Sequence, residues 1–257
     1  MKVGLVLLEN VSNPSSALRW LTGYLKAIGV EVSHYVLKSG ELGRIRAFLS
    51  ENDALLVVGG AGYREVVEKI AEALGLGVEV NSEALERVRM YYSDSVNVPG
   101  DLEEKATVPE FSYIVPNERG PVPGFVAFSL MDDKFIAATP PRFEEAVECF
   151  EMGIQDFFRE KTGKKYSLTF TLSFDGAVEE AEKLVQELSS QAEGAFIRLD
   201  ARFMGRKGVP VVFTLYATTP EELSDKMTAL ESKAAEIAGK LGRSFVEKAP
   251  EVGGEEL

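Results

Sequence analysis

The stretch "LLVVGGAGYREVVEKIAEALG", residues 55–75, decides the fold class. Its first four residues are all apolar and predict a buried strand. Gly59, Gly60 and Gly62 follow directly, and apolar residues then recur at helical spacing from Val66 onward. A strand, a glycine turn and a helix in immediate succession are typical of α/β proteins.

The glycine turn has two interpretations that the sequence leaves open. Glycine allows positive φ and a close approach of a ligand, and the start of a helix attracts anions, so the turn predicts a phosphate site. The dinucleotide motif Gly-x-Gly-x-x-Gly is excluded because Glu65 stands at its last position, and no Gly-Lys-Ser/Thr of a P-loop is present. The alternative is that the glycines only form a tight turn.

The first 160 residues alternate between strand and helix patterns around this stretch. Apolar runs at 3–8 and 54–58 and the segment 30–36 predict strands, and a helix is predicted after each of them. This order predicts a doubly wound, three-layer α/β/α fold with a mainly parallel sheet, whose ligands bind at the carboxyl ends of the strands. Further elements are predicted as a helix at 82–92, a loop or insertion at 93–109, short strands at 113–115, 124–130 and 134–138, and a helix at 143–161.

The pattern changes after residue 162. Apolar and polar residues alternate strictly over 166–174, which predicts a strand with one solvated face. A helix at 176–190, strands at 195–203 and 209–217 and a helix at 220–241 complete a β-α-β-β-α order, typical of a small α+β domain. We therefore expect an α/β domain at 1–162, the α+β domain at 163–243, and a disordered acidic tail at 244–257.

Composition restricts the partners. The net charge of −13 disfavours nucleic acid, whose binding depends on Lys and Arg. No apolar run reaches the roughly 20 residues needed to span a bilayer, so we expect no membrane partner. With one cysteine and one histidine, a disulfide framework and the usual zinc ligand sets are excluded, and a cytoplasmic location is expected. Any metal would be a hard cation such as Mg²⁺ on carboxylates.

Three separated stretches resemble one family. Residues 55–62 resemble the strand and glycine loop of the molybdopterin-binding fold, which is shared by MoaB/Mog-like proteins and the N-terminal part of competence/damage-inducible (CinA-type) proteins. "YIVPNERGPVPGF" (113–125) is similar to that family's Pro-Asn and Gly-x-x-Pro-Gly turn, and "KFIAATPPRFEEAVECF" (134–150) to its strand, double proline and helix. "LKAIGVEV" (25–32) and the small α+β domain match CinA-type proteins as well.

The resemblance implies a ligand and a site. The ligand would be a phosphorylated pterin of the molybdopterin type or a nucleotide, with Mg²⁺ as a further candidate, and the protein would form a dimer or trimer. The implied ligand-binding residues are those of the glycine turn, the double-proline segment opposite, the acid after the first strand and two serines at the start of a helix: Gly59, Gly60, Gly62, Thr139, Pro140, Pro141, Glu9, Ser15 and Ser16. For the two serines, helix capping is an alternative role.

The departures from the family bear on catalysis. Val58 stands where the family has Thr, and the Asp and Thr that follow its glycine loop are missing. Arg64 and Glu65 could replace them as an anion clamp and an acid, or could lie on an exposed helix face. Three functions stay open: ligand binding with weakened or lost catalysis, Mg²⁺-dependent pyrophosphate hydrolysis of an ADP-ribose-type nucleotide, and protein interaction without catalysis.

Overall fold

The computed structural model describes residues 1–200 and 208–247. These residues form two compact units, one made of residues 1–25 and 30–161 and the other of residues 26–29 and the chain from 162 onward. The end of the strand predicted at 195–203 and the part of the predicted tail beyond residue 247 lie outside the described residues.

Strands and helices alternate along the chain up to residue 162. The strands are β1 (Lys2–Leu8), β2 (Glu31–Leu37), β3 (Ala54–Val58), β4 (Val78–Val80), β5 (Thr107–Pro109), β6 (Tyr113–Val115), β7 (Gly124–Phe128) and β8 (Phe135–Thr139). The helices are α1 (Pro14–Ala27), α2 (Ile45–Glu51), α3 (Arg64–Leu74), α4 (Ser82–Tyr91), α5 (Leu102–Lys105), α6 (Phe143–Cys149) and α7 (Gln155–Thr162).

The central sheet of the first unit has the strand order β2-β1-β3-β8-β7-β6. Strands β2, β1, β3 and β8 are parallel, and β7 and β6 complete the sheet in antiparallel pairings. Every residue of β3 and β8 is buried, because strands covered on both faces need apolar residues throughout. The predicted α/β class with a mainly parallel sheet is therefore confirmed.

Two elements of the first unit differ from the sequence predictions. The segment 93–109, expected as a loop or insertion, contains α5 and β5, and β5 pairs with β4. Strands of three residues that pair across such a distance leave no local period in the sequence. The helix expected at 143–161 is interrupted by a π-helical segment at Phe150–Ile154 around Gly153, a residue that weakens a helix interior.

The second unit contains β9 (Tyr166–Phe174), α8 (Val178–Gln191), β10 (Ala195–Leu199), β11 (Val209–Ala217), α9 (Pro220–Lys240) and β12 (Phe245–Glu247). Its antiparallel sheet has the order β10-β11-β9-β12, as expected for a small α+β domain. Phe174, Leu184, Phe213 and Ile237 belong to its core. The tail expected from residue 244 is corrected at its start, since β12 pairs with β9 far away in sequence, which a local pattern does not reveal. Among the described residues, no helix is long and apolar enough to cross a bilayer.

Candidate functional site

The glycine turn after β3 is hydrogen-bonded to the end of β8. The N–H groups of Gly59 and Ala61 both donate to the carbonyl oxygen of Thr139, at 3.0 and 3.1 Å. Thr139 is fully buried and pairs with Val58 in the sheet. Two N–H groups of the predicted phosphate cradle are therefore bound by the protein itself.

The glycines of this turn also pack against side chains of the first unit. Gly59 has φ +90°, and a Cβ there would lie 2.4 Å from Oδ1 of Asn10, whose Nδ2 donates to the Gly59 carbonyl at 3.2 Å. Gly62 has φ +80°, and its Cβ would lie 2.8 Å from Cγ1 of Val122. Gly60 is buried against Val57. The turn needs glycine for its own conformation and packing, which favours the tight-turn interpretation.

The double-proline segment lies beside the turn that follows β1. Pro140 is buried, and the carbonyl of Pro141 accepts a hydrogen bond from the Ser12 N–H at 2.9 Å. The Ser12 hydroxyl in turn accepts from the N–H of Phe143 at 3.0 Å. Ser12, which sequence reasoning missed, is the serine that joins this segment to the end of β1.

The two predicted serines lie at the start of α1, outside these contacts. Ser15 is exposed, and Ser16 donates its N–H to the carbonyl of Asn13 at 3.1 Å, as expected in a first helical turn. Because α1 begins at Pro14, both serines lie inside its first turn, and neither occupies the capping position that the alternative role requires.

An open cavity of about 260 Å³ lies beside the start of α3, the helix that follows the glycine turn. It is formed by the carboxyl ends of β1 and β2 and by the first turn of α3, the edge at which α/β sheets bind ligands. Of the predicted site residues, Glu9 lines it. The lining residues are Leu8, Glu9, Asn10, Leu37, Lys38, Ser39, Leu42, Tyr63, Arg64, Glu65, Val66 and Glu104.

Glu9 joins the ends of β1 and β2 beside this cavity. Its carboxylate oxygen Oε1 accepts a hydrogen bond from the Ser39 N–H at 3.0 Å and another from the Ser39 hydroxyl. These hydrogen bonds from Ser39 hold the pKa of Glu9 below its ordinary value. Its N–H donates to the carbonyl of Leu37 at 3.0 Å. Glu9 therefore links the ends of the two strands through its carboxylate and its backbone N–H.

The start of α3 carries free hydrogen-bond donors at the same cavity. Tyr63 precedes the helix and provides no side-chain cap, and the N–H groups of Val66 and Val67 both donate to its carbonyl at 3.0 Å. Within the described residues, the N–H groups of Arg64 and Glu65 have no acceptor. The first N–H groups of a helix lack partners by construction, so water or a ligand satisfies these two.

A second cavity of about 470 Å³ adjoins the first and shares Arg64 and Glu104 with it. The segment that the sequence suggested to be a loop supplies most of its walls. The other lining residues are Val80, Leu85, Arg89, Pro99, Gly100, Asp101, Leu102, Glu103 and Thr107. Leu85 and Arg89 stand four apart in the helix predicted at 82–92, and this spacing was the available signal for a shared face.

A buried carboxyl group, also missed by sequence reasoning, supports the closed side of the glycine turn. Glu145 is 5% exposed and accepts a hydrogen bond from Nδ2 of Asn117 at 3.0 Å. The same Nδ2 donates to the carbonyl of Val122 at 2.8 Å, so Glu145 stabilises the segment that places Val122 against Gly62. Burial raises the pKa of Glu145, while the hydrogen bond from Asn117 opposes the shift.

The residues do not fit the magnesium site that the resemblance implies. Across residues 1–200 and 208–247, no group of three or more His, Cys, Asp or Glu side chains is placed to hold a metal ion. The carboxylate of Glu9, the acid at the end of β1, already accepts hydrogen bonds from Ser39. We therefore derive no hydrolytic step from this arrangement.

The strand order and the position of the cavity define an α/β protein with a mainly parallel sheet and a glycine turn after β3. The chain is 25% identical to a competence-damage inducible protein of Desulforudis audaxviator over 96% of its own length and 60% of that protein. It is also 25% identical to the protein of the same name from Caldicellulosiruptor saccharolyticus, over 73% of this chain and 47% of the relative.

A solved structure supports the same assignment of the fold. The crystal structure of the protein CinA from Thermoplasma acidophilum matches with a TM-score of 0.52 and 18% identity, over 60% of this chain and 96% of that one. No protein-family model matches the chain. The chain spans about half the length of the relatives that it matches first. The resemblance to CinA-type proteins and their fold is therefore confirmed.

Proposed function

We propose that the first unit binds a small phosphorylated ligand, a pterin or nucleotide in class, whose phosphate lies in the 260 Å³ cavity at the ends of β1 and β2. One observation carries the proposal: Arg64 and Glu65, whose N–H groups have no acceptor within the described residues, line the same cavity as Lys38. The names of the CinA-like relatives support the scaffold. The proposal includes loss of the hydrolytic activity that the resemblance implies.

The physical argument starts from the helix end. An anion at the start of α3 accepts hydrogen bonds from free N–H groups and lies at the positive end of the helix dipole. The guanidinium of Arg64, which also contacts Oε1 of Glu68 at 2.9 Å, adds a charge-assisted hydrogen bond. Glu65 and Glu104 line the cavity as well, so it suits a ligand with an anionic end and a separate end that donates hydrogen bonds.

Calorimetry with inorganic pyrophosphate and with GMP tests the proposal. We expect both to bind, and we expect Arg64→Ala to weaken both by about tenfold, the effect of losing one charge-assisted hydrogen bond. Lys69→Ala is the matched control, because Lys69 lies on the same helix, contacts Glu72 at 2.7 Å and does not line the cavity. It should bind both probes as the unmodified protein does.

Two results would contradict the proposal. If neither probe releases or absorbs heat with the unmodified protein, the cavity is not a ligand site and the interaction-protein alternative gains support. If the protein hydrolyses ADP-ribose only when Mg²⁺ is present, the loss of catalysis is refuted and the enzyme alternative is supported.

A further inference from the structure

Apolar side chains are exposed at the outer edge of the central sheet, where β6 and β7 meet α7. The ring of Phe157 contacts two others, with centroid distances of 5.3 Å to Tyr113 and 5.7 Å to Phe128. A Cβ at Gly153 would lie 4.0 Å from Cε1 of Tyr113, so the π-helical segment that carries Met152 borders the same rings. Tyr113, Phe128 and Met152 are 57%, 39% and 46% exposed.

Phe111, two residues before Tyr113, is both strained and exposed. Its φ of +60° is a left-handed conformation that is unfavourable for a bulky residue, and its side chain is 80% exposed. The fold gains little from this ring, and a glycine would adopt the same conformation without strain. A strained residue that the fold does not need points to a role in binding. We call the side chains of this surface the apolar patch: Phe111, Tyr113, Phe128, Met152 and Phe157.

The size of the apolar patch suits a protein partner. At roughly 150–250 Å² for a whole aromatic side chain, the exposed fractions correspond to about 400 Å². Patches of this size on single proteins are often functional. The area also matches the apolar part of one side of a standard interface, which buries about 800 Å² per partner.

The free edge of β6 is a poor place for an added strand. The strand has three residues, Tyr113–Val115, and Pro116 follows it directly. Such an edge offers few main-chain hydrogen bonds, and proline at an edge prevents strand pairing. A helix, in contrast, satisfies its own main-chain groups and binds through an apolar face.

The surroundings of the apolar patch are acidic. Both cations of α7, Arg159 and Lys161, already contact acids. Within the described residues, neither Glu110, directly before Phe111, nor Asp132, in the turn after β7, forms an ion pair. The whole chain carries a net charge of −13. A second copy or an anionic lipid surface would add negative charge here, whereas a basic partner would complement it.

We propose that the apolar patch binds an amphipathic helix of another protein, with an apolar face for the rings and Lys or Arg on its polar face. Phe111 is the main contact, because aromatic side chains contribute most to the affinity of protein interfaces. Glu110 and Asp132 face the cations of the bound helix. The surface is separate from the proposed ligand site, since no residue of the apolar patch lines either cavity.

Fluorescence anisotropy with two labelled peptides tests this proposal on the full chain. Both are amphipathic helices of about 18 residues with leucine on one face, and the other face carries lysine in one peptide and glutamate in the other. We expect the lysine peptide to bind at least tenfold more tightly than the glutamate peptide. Phe111→Gly should weaken the lysine peptide at least fivefold. Val36→Ser, at a 71% exposed position on β2, is the control and should leave the affinity unchanged.

Urea denaturation of the same variant tests the strain at Phe111. Because glycine relieves the positive φ, Phe111→Gly should raise the urea midpoint while it weakens the peptide, which separates a binding role from a structural one. A lowered midpoint would show that the ring serves the fold and would overturn the proposal.

Three binding results would also overturn it. The first is an unmodified protein that does not bind the lysine peptide, or binds both peptides equally. The second is an equal loss of affinity in Phe111→Gly and Val36→Ser, which would mean that binding is not localised at the apolar patch. The third is a dimer in sedimentation equilibrium that Phe111→Gly converts to monomer, since the patch would then be covered by a second copy.

Discussion

Two neighbouring regions follow β3, and they differ in what satisfies their backbone N–H groups. In the glycine turn, the N–H groups of Gly59 and Ala61 donate to the Thr139 carbonyl. At the start of α3, the N–H groups of Arg64 and Glu65 have no acceptor in the described part of the chain and border an open cavity. A glycine motif can thus serve the fold itself, while the proposed anion site lies a few residues further on.

Substitutions in the glycine turn should lower the free energy of unfolding more than substitutions at the start of α3. Gly59→Ala places a Cβ 2.4 Å from Oδ1 of Asn10 and requires a positive φ. We expect a loss of about 2–4 kcal/mol in the free energy of unfolding, from backbone strain and overpacking together. Urea denaturation measures it.

Gly75→Ala is the control for that loss. Gly75 also has a positive φ, at +76°, but a Cβ there meets nothing within 4 Å. Gly75→Ala should lower the free energy of unfolding only by the cost of backbone strain, about 1 kcal/mol. Equal losses at the two positions would show that the turn is not packed as described.

Asn117→Ala should destabilise the segment that covers Gly62. The substitution removes the donor to the buried Glu145 carboxyl and to the Val122 carbonyl. We expect about 2 kcal/mol lower stability, because a buried carboxylate loses its hydrogen bond. A loss below about 0.5 kcal/mol in urea denaturation would contradict the role of Asn117.

Glu145→Gln should change how stability depends on pH. Because burial raises the pKa of Glu145 in the folded protein, the folded state binds the proton more tightly than the unfolded chain does. The contribution of Glu145 to the free energy of unfolding therefore grows as pH falls from 7 through the raised pKa. It reaches its full value below the ordinary glutamate pKa of about 4.3. The variant lacks this gain.

The measurement for Glu145 is the difference in the free energy of unfolding between the unmodified protein and the variant from pH 7.5 to 4.5. We expect the unmodified protein to gain on the variant as pH falls. A constant difference, or one of opposite slope, would show that Glu145 is not a buried acid in the folded state.

Substitutions at the start of α3 should have little effect on the free energy of unfolding. The side chain of Arg64 is 60% exposed and its contact with Glu68 is a surface ion pair. Arg64→Ala should therefore change the free energy of unfolding by less than about 0.5 kcal/mol, while it weakens ligand binding. A loss of stability as large as that of Gly59→Ala would mean that Arg64 is packed into the fold as the glycine turn is.

Much of the fold was predictable because it is encoded locally. The apolar runs of β1 and β3 and the helical spacing of α3 read directly as buried elements. The pairing of β4 with β5 and of β12 with β9 was not predictable, because strands of three residues acquire their structure only from a distant partner. The same limit applies to the interruption at Gly153.

The candidate site was predictable only in part. The resemblance implied that Thr139 lies opposite the glycine turn, and the Thr139 carbonyl accepts hydrogen bonds from the N–H groups of Gly59 and Ala61. The sequence could not show that the Thr139 carbonyl accepts the hydrogen bonds of the turn, because hydrogen bonds between main-chain groups do not depend on particular side chains. Likewise, Arg89 and Leu85 border a cavity only because the segment 93–109 folds back over α4 and α3, which no local pattern encodes.

Amide chemical shifts under titration with inorganic pyrophosphate test the central claim most directly. The account predicts that the N–H signals of Arg64 and Glu65 shift strongly, while those of Gly59 and Ala61 stay in place because the Thr139 carbonyl keeps them. Large shifts at Gly59 and Ala61 with none at Arg64 and Glu65 would show that the anion enters the glycine turn, and would contradict the account.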